Sequence, residues 1–316
     1  MASPSTKILV FGATGVIGKV LIKSLLNAGG VFDKIGLFTS SKTATEKAGT
    51  IDALKSRGVN VFVGDVDNDD DVLEAYKGFD TIVSAVGRNA IAKQIRLIRL
   101  AETSSNIIRF FPSEYGTDIA YDETSANELT HQQKLKVREF LESDPSRRLK
   151  YTYLVTGPFA DLYVGYRPAE KQAGSFDVGN REATLLGDGN GKISLTTMAD
   201  VGRLLVGALK HPDFSDNKAL IVNSFTTTPN AILSEIERQT ESKWSVGYTS
   251  LNKLREYETQ AWEEKKPSAS LYTLRRIWTE GRTLYESRDN EKIGVDKTDT
   301  LEMVVQEVVR TDVQAF

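Results

Sequence analysis

Residues 7–18 (KILVFGATGVIG) carry the types and spacing needed to hold an anion. Gly12, Gly15 and Gly18 recur every three residues between a short apolar run, Ile8 to Phe11, and a second apolar run of helical spacing from Val16 to Leu26. The first N–H groups of a helix lack backbone partners, and the helix dipole favours negative charge beside them. In such a strand–turn–helix Gly12 allows the tight turn, Gly15 lets a pyrophosphate approach the backbone, and Gly18 lets the helix pack closely on the strand. Ala13, Thr14, Val16 and Ile17 complete the cradle. The spacing is GxxGxxG rather than the GxGxxG of many dehydrogenases, and a tight turn without a ligand is the alternative. Its place directly after a first strand, with strand–helix alternation behind it, makes a dinucleotide the expected ligand.

The loop after the second strand bears on which dinucleotide. A sheet that prefers NAD places a carboxylate there to accept from the ribose 2′-hydroxyl. Here KIGLF at 34–38 continues into Thr39, Ser40, Ser41 and Lys42, with no carboxylate before Glu46. Hydroxyls and a lysine suit the dianionic 2′-phosphate of NADP, which a carboxylate would repel; a solvated loop with helix-capping serines is the bland alternative. NADPH is therefore the expected cofactor. Asp65 and Val66, after the third strand, are placed at its adenine end. The acidic run at 67–71 reads as the start of a helix, where carboxylates are stabilised, rather than as a metal site. No metal is expected.

A second group of residues could move a proton. On the helix that includes His131 to Arg138, the positions Lys134, Val137, Arg138 and Leu141 fall at i, i+3, i+4 and i+7, so two cations share one inward stripe, while Lys136 points elsewhere. Inward lysine and arginine are costly unless paired or set in a polar cleft, and snorkelling at the rim of the core is the competing explanation. A lysine beside a nicotinamide is a plausible general acid, its pKa lowered by burial and by the cationic ring. The Tyr-x-x-x-Lys pair of short-chain dehydrogenases is missing: no tyrosine is followed by lysine at that spacing. His131, one turn before Lys134, is either solvated or on the substrate side. Ser113 and Glu114 follow the fifth strand and either position a ligand or make a structural turn. Pro158 and Phe159, after the sixth, could press an apolar surface on the nicotinamide, with Tyr163 on the substrate side.

Positioning these groups requires a parallel sheet. After the first strand come apolar, β-branched runs at 34–38, 59–63, 81–86, 107–111 and 151–155. Helix-compatible stretches at 43–57, 70–77, 90–103 and 128–142 separate them. This alternation predicts an α/β fold, a Rossmann-like, doubly wound parallel sheet with right-handed crossovers. Ligands then bind at the carboxyl ends of the strands, which selects residues 39–42, 65–66, 85–88 and 112–116 for the crevice and adds Ala85, Val86, Gly87 and Phe111 to the residues expected at the cofactor. Residues 1–157 form the cofactor domain, with elements about 193–224 returning to it. Residues 158–192 and 225–316 form a smaller, mainly helical substrate-binding cap that includes helices at 229–240 and 298–310. The net charge of −3 without a basic block argues against nucleic acid. The absence of cysteine excludes disulfides and thiol nucleophiles, and two histidines make a Ser–His triad or multi-histidine metal site improbable. No apolar run approaches the ~20 residues of a membrane span, and residues 1–7 (MASPSTK) lack a signal peptide's apolar region. A cytoplasmic protein with a small-molecule substrate is expected, a homodimer being compatible.

Taken together, GATGVIG at 12–18, FFPSEYG at 110–116, Lys134 with Arg138, YTYLVTGPF at 151–159 and LLGDGNGKISLTTMADVG at 185–202 resemble the NmrA-like, isoflavone reductase-like family of atypical short-chain dehydrogenases. That group includes phenylcoumaran benzylic ether reductases. The resemblance implies an NADPH-dependent reductase of aromatic, phenylpropanoid- or isoflavone-like or other specialised metabolites. It implies a catalytic role for Lys134 and a cofactor-associated one for Arg138. Plant members carry arginine at the position of Thr39, so phosphate recognition here falls to Ser40, Ser41, Lys42 or Lys47. The stretch 120–133 and Pro158 also depart from the plant pattern, both on the substrate side. The alternative function is a non-catalytic NADP(H)-sensing regulator; retention of Lys134 with Arg138 favours the enzyme.

Overall fold

In the computed structural model, which describes residues 3–165 and 168–314, seven strands form one parallel sheet. In chain order the strands are β1 (Lys7–Phe11), β2 (Lys34–Thr39), β3 (Asn60–Val63), β4 (Thr81–Ser84), β5 (Arg109–Phe111), β6 (Lys150–Val155), β7 (Ser175–Asp177), β8 (Glu182–Leu186), β9 (Ile193–Leu195), β10 (Lys218–Ile221), β11 (Phe225–Thr227) and β12 (Ser245–Thr249). The main sheet runs β10-β6-β5-β4-β1-β2-β3. The order reverses at β1, whose Phe11 is level with Phe38 of β2 and Ser84 of β4, so three strand ends open at one place.

Strand β1 is covered on both faces and is accordingly apolar almost throughout. Ile8 and Val10 face a cluster that includes Leu21, Ile22 and Leu25 of α1 (Val16–Leu26). Leu9 and Phe11 face the opposite cluster. The helices that follow α1 are α2 (Ser41–Glu46), α3 (Ala48–Ser56), α4 (Asp69–Tyr76), α5 (Gln94–Thr103) and α6 (Gln132–Glu142). Val137 and Leu141 of α6 join α4 and α5 in that second cluster, which fixes the rotation of α6. The stripe read from the sequence is thus inward, with Lys136 exposed.

Three helices differ from the sequence reading at their starts or middles. The stretch 43–57 is broken at Lys47 into α2 and α3, while α5 and α6 are each entered through a tighter turn, Arg88–Lys93 and Leu129–His131. The acidic run begins α4 as expected: Asn68 caps it, its Oδ1 accepting from the Asp70 N–H at 3.0 Å, and Asp69, Asp70 and Asp71 occupy the first turn.

After β6 the chain leaves the sheet through α7 (Ala160–Tyr163), returns by α8 (Met198–Lys210), α9 (Pro212–Ser215) and β10, and leaves again. Helix α8 is capped by Thr197 and packs on α1, with Gly202 against Ser24. The second excursion holds α10 (Pro229–Thr240), α11 (Leu251–Glu263), α12 (Ala269–Thr279) and α13 (Leu301–Gln314). The cap also carries a three-stranded sheet, β12-β8-β7, that the sequence reading lacked. Among the described residues no helix is long and apolar enough to cross a membrane.

Candidate active site

Where β1, β2, β3 and β4 end, their loops enclose a crevice of about 310 Å³. Gly12, Ala13, Thr14, Thr39, Ser40, Asp65, Val66, Val86 and Gly87 line it, as does Thr43. Gly12 adopts φ +77°, and a Cβ there would lie 2.4 Å from the Ala85 carbonyl oxygen. At Gly18 a Cβ would meet the Gly12 carbonyl oxygen at 2.1 Å, so α1 reaches the loop only without a side chain. Backbone cannot yield as a side chain can. Gly18→Ala is expected to destabilise the fold by about 1–3 kcal/mol or more, read as a lowered urea midpoint; an unchanged midpoint contradicts this account.

Gly15 caps α1 with no side-chain acceptor, and no acidic residue sits in that first turn. Its leading N–H groups are left to an anion, and the residues present therefore fit a pyrophosphate. Lys47 steadies the same loop, its Nζ donating to the Thr14 carbonyl at 3.0 Å. The other groups expected at the 2′-position are deployed differently. The Ser40 hydroxyl caps α2 by accepting from the Thr43 N–H at 3.2 Å. Ser41 and Lys42 stand on the exposed side of α2, Lys42 3.8 Å from Glu46. Asp65 is held by its neighbours, its N–H donating to Asp71 Oδ2 at 2.8 Å and its Oδ1 accepting from the Asp67 N–H at 2.9 Å.

Past Val86, which belongs to both walls, a chamber of about 360 Å³ lies under the cap. Lys134 projects into it from α6, its Nζ donating to the Glu114 main-chain carbonyl at 2.7 Å and lying 4.0 Å from Glu114 Oε2. Burial holds the Lys134 ammonium below its ordinary pKa; the Glu114 charge opposes this, and Arg138 and Arg88 add to it. Ile17, Ser113, Pro158, Phe159 and Tyr163 also line the chamber. Ser113 ties two strand ends together, its Oγ donating to the Val86 carbonyl at 2.9 Å.

His131 is buried, not solvated, and lines the chamber. Its Nδ1 lies 2.8 Å from the Ser125 carbonyl. Since a carbonyl only accepts, Nδ1 carries the proton and Nε2 the lone pair. Burial lowers the His131 pKa, favouring this neutral form. The segment that bears it is fastened to the cap: Arg276 pairs with Glu128 at 2.6 Å, and Arg282 with Asp122 at 2.7 Å and Glu128 at 2.9 Å.

Phe111 and Arg138, also expected at the cofactor, stand elsewhere as well. Phe111 is 1% exposed in the sheet core, because a central parallel strand is covered on both faces. Arg138 turns to carboxylates, not to the crevice. Its Nε and Nη2 donate to Glu114 Oε1 and Oε2 at 3.1 and 3.0 Å, and its Nη1 lies 3.4 Å from Asp118. Burial acts to lower its pKa, but the two carboxylates outweigh this and hold it above the ordinary value. Gly15, Val16 and Gly18 shape the loop and the helix start, while Ala85 supplies the carbonyl that faces Gly12.

The carboxyl-edge rule had selected Arg88 and Tyr115, but sequence reasoning did not find Thr130, Arg275 or Trp278, all of which line the chamber. For α12 the signal was present. Leu271, Leu274, Arg275 and Trp278 fall at i, i+3, i+4 and i+7, the same cation-in-apolar-stripe pattern that singled out Lys134 and Arg138.

Strand order and a crevice at the switch point define a Rossmann-like α/β protein. A model of the NmrA-like family matches residues 4–272, and the chain belongs to that family. Isoflavone reductase homolog P3 of Arabidopsis thaliana is 32% identical over 232 residues, 72% of each chain. Phenylcoumaran benzylic ether reductase PT1 of Pinus taeda is 30% identical over 210 residues, 66% of each chain. The solved binary complex of leucoanthocyanidin reductase with NADPH from Vitis vinifera has the same fold, with a TM-score of 0.79 at 21% identity, covering 96% of this chain and 99% of that one. The resemblance read from the motifs is thereby borne out.

Proposed function

We propose that this chain is an NADPH-dependent reductase of a small aromatic, phenylpropanoid-type molecule, with Lys134 as its general acid. The observation that carries the reading is the position of the Lys134 ammonium: inside an apolar and aromatic chamber, directly beyond a glycine loop open to a pyrophosphate. The relatives support it, being named as reductases of such compounds, and one of the solved structures holds NADPH.

NADPH, when bound, supplies the hydride that forms the new C–H bond. The chain's own residues do the rest. Gly12, Gly15 and the start of α1 hold the pyrophosphate. Pro158 and Phe159 keep water from the reacting carbon. Lys134 gives its proton to the substrate oxygen that receives the displaced electron pair. The Glu114 carbonyl aims that ammonium, and burial makes its proton easier to release than an ordinary lysine's.

At the 2′-position Thr39 and Ser40 line the crevice, with Lys42 exposed beside them and no carboxylate before Glu46. NADPH is therefore expected to bind at least about tenfold more tightly than NADH; equal dissociation constants by fluorescence titration contradict that assignment. The reading as a whole is tested by NADPH oxidation with aromatic enones, benzylic ethers and isoflavone-type compounds, beside Lys134→Ala. Turnover that the substitution removes supports the reductase. Tight NADPH binding without turnover of any of these compounds supports a redox sensor instead.

A further inference from the structure

Within the chamber the hydrogen-bonding groups are unevenly matched. Arg88 and Lys134 line it, and among the described residues no carboxylate does. Arg88 follows β4 and stands at the exposed rim. Among the described residues it forms no ion pair and no side-chain hydrogen bond, although its charge is felt at Lys134. It belongs to the wall that holds Lys134 and Trp278, not to the crevice that holds Gly12 and Thr39. Deeper in the chamber's lining, the Tyr115 hydroxyl and His131 Nε2 are buried without a partner. Buried polar atoms without partners cost free energy, and such atoms around a cavity mark where a ligand's own polar groups belong.

We propose that the acceptor is a hydroxylated aromatic carboxylate, its acid group on Arg88 and a ring hydroxyl donating to His131 Nε2. The planar body is taken by Phe159, Tyr163 and Trp278, which line the same chamber. A guanidinium takes a carboxylate through two parallel N–H donors, which gives orientation as well as attraction. A neutral histidine whose Nδ1–H is spent on the Ser125 carbonyl can only accept at Nε2, so it selects a hydroxyl. This deepens the reductase reading and rests on it for the identity of the chamber.

The test is binding rather than turnover, so that it separates from the test of reduction. The protein loaded with NADP⁺ is titrated with 4-hydroxycinnamate, its methyl ester and unsubstituted cinnamate. The acid is expected to bind about tenfold more tightly than its ester, and the hydroxylated acid more tightly than cinnamate. Arg88→Gln, a rim substitution that leaves the core intact, is expected to abolish the preference for the acid while leaving the NADP⁺ dissociation constant unchanged. Equal binding of acid and ester overturns the proposal. So does an Arg88→Gln variant that loses NADP⁺ affinity and keeps the preference, since Arg88 then serves the cofactor. Selective binding of the acid without any reduction would uphold the two contacts but overturn the acid as hydride acceptor, and the reductase reading is then decided by its own test.

Discussion

Lys134→Ala is expected to lower kcat by about 10²–10⁴-fold, the usual contribution of a positioned general acid, while changing the NADPH dissociation constant less than about threefold. The glycine loop proposed to hold the cofactor's anions is on the other side of Val86. The pH profile follows from the same site. Proton donation needs the ammonium form, so kcat falls as pH rises through the pKa of Lys134. Because burial lowers that pKa, the alkaline limb is expected clearly below the 10.5 of an ordinary lysine. The alanine variant should show no such limb. Full activity in that variant, or a limb at the ordinary position, would falsify the assignment of Lys134 as the acid.

Glu114→Ala is expected to be the most damaging single substitution for stability. The carboxylate is 1% exposed and receives two hydrogen bonds from a guanidinium that is itself buried over the Tyr153 ring. Removing it leaves the Arg138 cation with Asp118 at 3.4 Å as its remaining partner. Breaking a buried pair from one side typically costs about 3–5 kcal/mol, because the stranded charge cannot recover its water. Equilibrium urea unfolding reads this directly; a loss under about 1 kcal/mol would show that Arg138 finds water or another carboxylate. Glu114→Gln is the gentler companion. It keeps an acceptor for Arg138 but removes the charge that raises the Lys134 pKa, so its alkaline limb should move to lower pH than in the parent.

Legibility in the sequence followed the range of the interaction involved. The glycine loop was readable because its requirements are local: Gly12 and Gly18 are forbidden a Cβ, and Gly15 is crowded, by backbone within one strand–turn–helix unit or the adjacent strand end. The inward setting of Lys134 and Arg138 was readable from helical periodicity alone. What Arg138 meets there was not, since its partner Glu114 lies 24 residues away on another element. Phe111 was misplaced because RFF, with every residue buried, has no alternation to say which side faces the crevice. The sheet of the cap escaped for a related reason. Strand β12 (SVGYT) is short and largely exposed, and among the described residues its only ladder is a parallel one to β8, some sixty residues earlier. Ser40, expected near a phosphate, lines the crevice, but its hydroxyl is already used as a helix cap.

The return of α8 and β10 to the main sheet governs the order in which this chain can become competent. Helix α1, which presents the glycine loop, has its outer flank covered by α8 some 180 residues later, and the edge of the sheet is finished only by β10. During synthesis, residues 7–26 leave the ribosome long before the surface against which they pack. A half-made chain can pair β1 with β2 and β4, yet α1 remains uncovered until about residue 210 has emerged. The glycine loop proposed to hold the pyrophosphate is thus encoded first, but the surface behind its helix is completed late.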